Sequence, residues 1–350
     1  MYLQQLMLDI FQKFDGQRSE TAAFHLICGK RSGQTIQDVG TFGLEAYFSI
    51  MPKLSKQQYL EAFEQLIENG WVFYDEQKTL QLTTRGKDVL EKSNAFHFNG
   101  WFYRGNEHVF FKRLSLIVQT FSYVKVKDFR FNPIQKDEEI QAWVKYFLMR
   151  HPYKDPSFHL QFRNEIENSI KNLHISEQAK QIVMFRLTGF HLTGWTWQQL
   201  ASQFDCGELD VQFMFVELLH TWLDLLTLES AQFPLLYRLT ENIRIENLLT
   251  DSTQKTADLF KRGYSLEQIA MMRHLKTSTI EDHFVEMAMI IRDFPLHQFI
   301  DEADVEKVMD VLSTTESKRL KIIREQIPQF SYFQIRLVIA AKGGEYNVRA

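Results

Sequence analysis

The sequence contains little cysteine: Cys28 and Cys206 lie far apart, outside the spacing of a metal-binding Cys-x-x-Cys pair. This argues against a zinc site and a disulfide framework, and it suits a reducing cytoplasm. No apolar run is long enough to span a membrane, and the N-terminus lacks the basic flank and apolar stretch of a signal peptide. We therefore expect a soluble, cytoplasmic protein with no membrane partner.

Catalytic signatures are also missing. The sequence contains neither His-Glu-x-x-His nor Gly-x-Ser-x-Gly, and its histidines lack paired metal-ligand spacing. The glycine-containing loop at residues 28–35 is not a P-loop, because Arg31 stands where a serine or threonine must bind magnesium. With Lys30, it is either a basic contact for a nucleic-acid backbone or a plain turn. We predict that the chain is not an enzyme and uses no metal, cofactor or small-molecule substrate.

Length and charge limit the remaining possibilities. A chain of 350 residues is long enough for two or three domains. Thirty phenylalanines indicate aromatic-rich helical cores. The formal net charge is −4, so any contact with nucleic acid must come from local basic patches.

Residues 256–284 have the pattern of a helix-turn-helix. Gly263 suits the left-handed position after a first helix, and Ser265 can cap a second helix that buries Ile269 and Ala270. A turn then leads to a third helix with apolar residues at helical spacing: Ile280, Phe284, Met287 and Ile291. In DNA-binding members of this motif, the last helix enters the major groove.

The charges of this motif do not match a simple DNA reader. Basic and acidic residues nearly balance, and the predicted exposed face of the third helix carries three carboxylates, which phosphate repels. The motif therefore presents a surface for either DNA or a protein partner. Its members are Lys276, Thr277, Ser278, Glu281, Asp282 and Glu286.

A winged-helix pattern occupies residues 35–91. A helix that begins with a capping box at Ser55 ends at Gly70, and two short strands follow at 71–74 and 79–82. The helix that would enter a DNA groove is crowded with glutamate. The module is therefore either a DNA binder or a structural, protein-contacting one.

Two further stretches are locally basic. In residues 104–130, cations alternate with aromatic rings, as in single-strand binding proteins, although rings at helical spacing also form cores. Residues 317–342 either bind a polyanion or form a solvated face. Together with the loop at Lys30, these stretches supply the candidate nucleic-acid contacts: Lys30, Arg31, Arg104, Lys112, Arg113, Lys125, Lys127, Arg130, Lys318, Arg319, Lys321 and Arg324.

Residues 256–270, followed by 277–280 and His283, also resemble a known family. They are similar to the YpbB-type helix-turn-helix proteins of Gram-positive bacteria, which are related to the C-terminal extension of some RecQ-type helicases. Residues 322–341 look like the end of the same domain, and the upstream modules are similar in order. The resemblance implies a link to RecQ-type helicases, and so to DNA recombination or repair. Glu281 and Asp282 stand where response-regulator helix-turn-helix proteins commonly carry basic residues, which disfavours groove reading.

The order of elements predicts a mainly α fold: a multi-domain array of helix-turn-helix and winged-helix modules with one small β-hairpin wing. We predict an N-terminal helix with a winged-helix-like domain at 1–95. A middle helical domain with a helix-turn-helix-like unit follows at 105–230. A C-terminal, helicase-associated helix-turn-helix domain completes the chain at 240–342.

Two functions fit these features. In the first, the chain is a non-catalytic accessory protein that binds a RecQ-type helicase and holds DNA weakly, without sequence preference; single strands and junctions are candidate substrates. In the alternative, it is a helix-turn-helix transcription regulator that binds specific duplex DNA as a dimer.

Overall fold

A computed structural model of the chain describes residues 2–93, 95–246, 248–291, 293–315 and 320–347. This part of the chain is mainly helical, and its one sheet is a two-stranded antiparallel hairpin. The predicted fold class is therefore confirmed.

Helices account for most of the secondary structure. In chain order they are α1 (Tyr2–Phe14), α2 (Glu20–Ile27), α3 (Gly33–Phe42), α4 (Lys56–Glu68), α5 (Thr84–Glu91), α6 (Gly100–Tyr103), α7 (Glu107–Lys125), α8 (Glu138–Met149), α9 (Pro156–Lys171), α10 (Glu177–Phe185), α11 (Trp197–Gln203), α12 (Glu208–Leu228), α13 (Pro234–Arg238), α14 (Asp251–Lys261), α15 (Leu266–Arg273), α16 (Thr277–Ile290), α17 (Glu302–Thr314), α18 (Leu320–Gln326) and α19 (Tyr332–Asn347). The strands are β1 (Val72–Tyr74) and β2 (Leu80–Leu82), and short 3-10 helices lie at Glu45–Tyr47 and Leu296–Gln298.

Packing divides the chain into two compact units. Unit 1 comprises Met1–Leu3, Ile50–Pro52 and Asn94–Glu246, and unit 2 comprises Gln4–Ser49, Lys53–Ser93 and Asn247–Ala350. Unit 2 thus joins the winged-helix segment to the C-terminal helix-turn-helix segment, whereas the sequence predicts separate domains for them. The three domains stay a prediction about independent folding.

The core of unit 1 is built around α12. Its Trp222 is fully buried, donates a 2.9 Å hydrogen bond from Nε1 to Ser169 Oγ, and lies edge-on to Phe110. By length and composition α12 could cross a membrane, whereas we predict from the sequence that no apolar run has that length. In the most apolar stretch of α12, 67% of the residues are buried, as in the central helix of a folded core.

The winged-helix pattern is confirmed in unit 2. Ser55 and Gln58 form the predicted capping box of α4, and Gly70 takes the left-handed conformation (φ +66°) after it. β1 and β2 then pair antiparallel, with Val72 opposite Leu82. The hairpin is the wing, and α5 follows it.

Unit 2 also packs α3 against α16. Gly40 permits a close approach here, because a Cβ atom at this position would lie 2.3 Å from Sδ of Met289. Near the end of the chain, α18 and α19 flank Pro328, as predicted, and Ser331 Oγ accepts a hydrogen bond from the backbone N–H of Gln334. α16 also packs against α14, α15 and α19, and none of its residues after Ser278 is exposed.

Candidate nucleic-acid interface

The helix-turn-helix comprises α14, α15 and α16. Gly263 follows α14 with φ +88°, and Ser265 and Gln268 form a capping box at the start of α15. His274 ends α15 in the left-handed conformation (φ +52°) and turns the chain towards α16. The three-helix geometry predicted from the sequence is therefore present.

The apolar face of α16 forms the core of this motif. Phe284 is fully buried and lies edge-on to Phe260 at 4.9 Å, and Ile280 is buried beside it. Aromatic pairs in this arrangement add to the free energy gained from burying their area. These contacts fix the rotation of α16 about its own axis, and so decide which of its polar side chains face outward.

Glu286 is buried rather than exposed. Its side chain is 5% accessible and accepts hydrogen bonds from the backbone N–H of Thr250 (2.6 Å) and from the hydroxyls of Thr250 (3.1 Å) and Thr253 (2.6 Å). It thus holds the first turn of α14 against α16. The prediction that Glu286 lies on the exposed face of the third helix is wrong, because α14 covers this side of α16.

Asp282 is also engaged within unit 2. Its Oδ1 accepts a 2.9 Å hydrogen bond from Nε2 of Gln37 on α3 and forms an ion pair with Arg336 on α19. The neighbouring Glu281 is half-buried; burial raises its pKa and the charge of Arg336 opposes the rise. Two helices thus border the face of α16 that would read bases in a DNA-binding relative.

The first turn of α16 remains accessible. Lys276, Thr277 and Ser278 are exposed, and Lys276, the residue at the N-cap, forms no side-chain cap to the helix. Helix N-termini attract anions, and Lys276 adds a positive charge. This turn is the part of the predicted helix-turn-helix surface that a phosphate could reach; its role stays a prediction.

A buried polar cluster lies beneath the motif. His283 Nδ1 lies 2.8 Å from the Thr256 hydroxyl, and Arg273 contacts Thr256 and donates to the carbonyl oxygen of Ser252 (2.8 Å). Burial and the nearby Arg273 lower the pKa of His283 to about 4. His283 is therefore a neutral, structural histidine near pH 7.

Among the predicted contacts of unit 1, three cations are engaged by the protein itself. Arg113 is buried and donates to the carbonyl oxygens of Leu239 (2.9 Å) and Glu241 (2.7 Å), so it has no surface to offer a phosphate. Lys112 forms a 3.2 Å ion pair with Asp137. Arg104 is half-buried and lies over the ring of Trp101.

The end of the same stretch is open. Lys125, Lys127 and Arg130 are exposed, with Arg130 Nε 4.0 Å from Asp128. Most aromatic rings of the stretch belong to the core or pack partly buried against it, whereas Phe129 is 60% exposed. The interleaving of rings and cations therefore reflects mainly helical packing.

The predicted contacts of unit 2 are more accessible. Lys30 and Arg31 are exposed, and burial together with the charges of Lys30 and Lys56 lowers the pKa of His25. This basic patch thus includes Lys56, which sequence reasoning missed because it lies on the next long helix. Lys321 is exposed and Arg324 lies over the ring of Tyr332. The predicted contacts outside the described residues are Lys318 and Arg319.

Within the described ranges, no group of three or more histidine, cysteine, aspartate or glutamate side chains is placed to hold a metal ion. Burial raises the pKa of Cys28 to about 11, and its Sγ lies 3.7 Å from the Leu54 carbonyl oxygen. A thiol with this pKa is protonated and weakly nucleophilic at neutral pH.

Comparison with known proteins agrees with this geometry. Residues 252–339 match the family model of a helix-turn-helix domain, which indicates DNA binding. The chain is also 32% identical to "Protein YpbB" of Bacillus subtilis (strain 168), over 99% of each chain. No solved structure matches it. Similarity at this level along the whole chain, with the helix-turn-helix in place, shows that the chain belongs to the YpbB family of helix-turn-helix proteins.

Proposed function

We propose that this chain is a non-catalytic accessory protein of a cytoplasmic RecQ-type DNA helicase. It binds the helicase and holds DNA weakly, without sequence preference, during recombination or repair. The engagement of Asp282 and Glu286 inside unit 2 carries this proposal. A helix whose polar side chains are bound by its own neighbours has few groups left to read bases, which leaves phosphate contact and protein docking.

Exposed cations support the phosphate contact. Lys30 and Arg31 lie on the loop before α3, Lys56 begins α4 nearby, and the uncapped first turn of α16 adds Lys276. Contacts of this kind attract any phosphate backbone, single-stranded, duplex or junction, and weaken steeply as salt is added.

The outward face of α4 supports docking to a protein. Glu61, Glu64 and Glu68 are exposed, and Leu60 (38%) and Ile67 (44%) are also accessible on this helix. Carboxylates repel DNA, whereas an acidic surface with apolar anchors suits a basic, partly apolar protein surface. The resemblance to the C-terminal extension of RecQ-type helicases suggests a helicase of that type as the partner.

Docking is tested by pull-down of the purified full chain with the RecQ-type helicase of the same organism. The variant E61K/E64K should lose most of the bound helicase, whereas E306K/D310K, the same charge change on exposed positions of α17, should retain it. Equal retention by both variants would remove α4 as the docking surface.

DNA binding is tested by salt titration with single-stranded, duplex and junction DNA. Log affinity should fall linearly with log salt, and K30E/R31E should reduce the slope by about two. R85E/K87E, the same change at exposed positions of α5, is the matched control. Absence of binding to both helicase and DNA at low salt would overturn the proposal.

The alternative, a transcription regulator, depends on base-specific contacts. The accessible first turn of α16 leaves room for some duplex contact, so selection from a random pool of duplex DNA is the deciding measurement. Enrichment of a defined motif would replace the accessory function, and an unchanged pool would support it.

A further inference from the structure

A groove in unit 1 combines an apolar floor with a cationic rim. It has a volume of about 790 Å³ and lies between α7, α9 and the end of α10. Phe121, Phe162 and Ile166 form its buried floor, while Leu160 is 56% exposed on its wall and Phe129 is 60% exposed. Exposed apolar surface gathered in a concave site is typical of a binding surface.

The charges around this groove are mainly positive. Lys125 and Lys127 lie at the end of α7, Lys154 precedes α9, and Arg163 lies on α9. Glu167 is the carboxylate among the lining residues, and its Oε1 accepts a 2.6 Å hydrogen bond from Arg163. Within the described chain, Lys125 and Lys127 form no ion pair, so the rim keeps a net positive charge.

The carboxylates next to this rim are already engaged in the local backbone. Asp128 accepts a 3.0 Å hydrogen bond from the backbone N–H of Arg130, and Asp155 caps α9 by accepting 2.9 Å from that of Ser157. They fix the loop and the helix start, and neither lines the groove. An occupant would therefore meet lysine and arginine above a floor of apolar side chains.

The rings of the groove are poorly arranged for stacking bases. One face of Phe121 is covered by His159, at 4.3 Å between ring centres, and Phe121 and Phe162 form a T-shaped pair. The ammonium of Lys154 lies 6.0 Å from the centre of the exposed Phe129 ring. Single-strand binding needs successive free ring faces, whereas the rings of this floor are buried and pack against other rings. This packing of the rings favours a peptide over nucleic acid as the occupant of the groove.

We propose that this groove binds an acidic, amphipathic helical segment of a partner protein. Its apolar side chains would lie on Leu160, Phe129 and the floor, and its carboxylates would face Lys125 and Lys127. The inference goes beyond the proposed DNA and helicase contacts and does not depend on them. It assigns to a peptide two lysines whose sequence pattern suggested nucleic acid.

The test is fluorescence anisotropy of the full chain with a labelled peptide of about sixteen residues, leucine on one helical face and glutamate on the other. The unmodified chain should bind this peptide. K125E/K127E should weaken binding about tenfold or more, and L160S about fivefold. K136E/K145E, the same charge change at exposed positions of unit 1 outside the groove, should change affinity less than about twofold. All replaced side chains are exposed, so the variants should fold, which circular dichroism verifies.

Further measurements distinguish the proposed peptide from other occupants of the groove. A peptide with leucine replaced by serine should bind about tenfold more weakly, since a purely electrostatic contact would not distinguish the two. Oligo-dT that binds through Leu160 and displaces the peptide would overturn the proposal in favour of nucleic acid. Self-association abolished by L160S would overturn it in favour of a second copy. Equal loss of peptide binding in K136E/K145E and K125E/K127E would also overturn it.

Discussion

The side-chain amide of Gln37 donates a 2.9 Å hydrogen bond to Oδ1 of Asp282, although 245 positions separate them in the sequence. This bond fastens α3 to α16, and Arg336 on α19 binds the same carboxylate from another side. The helix that would read DNA in other helix-turn-helix proteins thus serves here as an internal packing element. Because few groups of this helix are left to read bases, we propose phosphate contact and protein docking instead.

Removing the Asp282 carboxylate should loosen unit 2. D282A leaves Gln37 and Arg336 without their acceptor, and we expect a loss of about 1–2 kcal/mol in the free energy of unfolding. Urea titration measures it. D258A removes an exposed acceptor of a local glutamine hydrogen bond and should cost less than about 0.5 kcal/mol. Equal losses would show that Asp282 does not hold the helices together.

Glu286 should matter more, because its partners are buried. E286A leaves the backbone N–H of Thr250 and the Thr253 hydroxyl without an acceptor and should cost about 2–4 kcal/mol. E286Q keeps one acceptor oxygen and should cost less, while E306A, at an exposed position of α17, should be nearly neutral. Thermal unfolding ranks the three. A neutral E286A would contradict the structural role.

His283 should make unit 2 less stable in mild acid. Its folded pKa is about 4, below the ordinary 6.5, so between these values the unfolded chain binds a proton that the folded chain does not. The stability that depends on a neutral His283 is fully present above pH 6.5. As the pH falls to 4, the free energy of unfolding declines by at most about 3 kcal/mol. Urea unfolding at several pH values should show a smaller decline for H283Q. Parallel curves for both proteins would rule out this assignment.

Gly86 should tolerate no side chain. A Cβ atom here would lie 2.1 Å from the carbonyl oxygen of Trp71, which accepts a hydrogen bond from the backbone N–H of Thr83. G86A must therefore displace the backbone at the base of the wing and should cost more than about 2 kcal/mol. G33A is the control, because its Cβ would meet Asp282 at an ordinary 3.5 Å. Chemical denaturation of both variants measures the two losses in the free energy of unfolding, and equal losses would contradict this prediction.

Sequence patterns predicted the helix caps, helix ends and the wing, because the residues that form each of these features are close together in the sequence. The capping box at Ser265 involves Gln268 three residues later, and Gly263 ends a helix through its own backbone freedom. The wing follows from the turn between two short apolar runs. Each signal lies within a few residues, so neighbouring elements do not alter it.

The candidate site was less predictable, because its residues are decided by distant partners. The acceptors of the Arg113 guanidinium lie 126 and 128 positions away, and those contacts removed a predicted phosphate ligand. Lys125 and Lys154 border one groove although one ends α7 and the other lies in the turn before α9. Nothing in the local sequence distinguishes a cation that will be buried from one that will stay exposed.

By itself, the sequence determined the helix-turn-helix, the wing and the family, since helical periodicity and caps act over a turn or two of chain. Only the tertiary structure decided that α16 is enclosed, that Glu286 is buried and that a cationic rim surrounds an apolar groove. The physical reason is that periodicity states which side of a helix is apolar, whereas the exposure of a charged side chain depends on which elements pack around it.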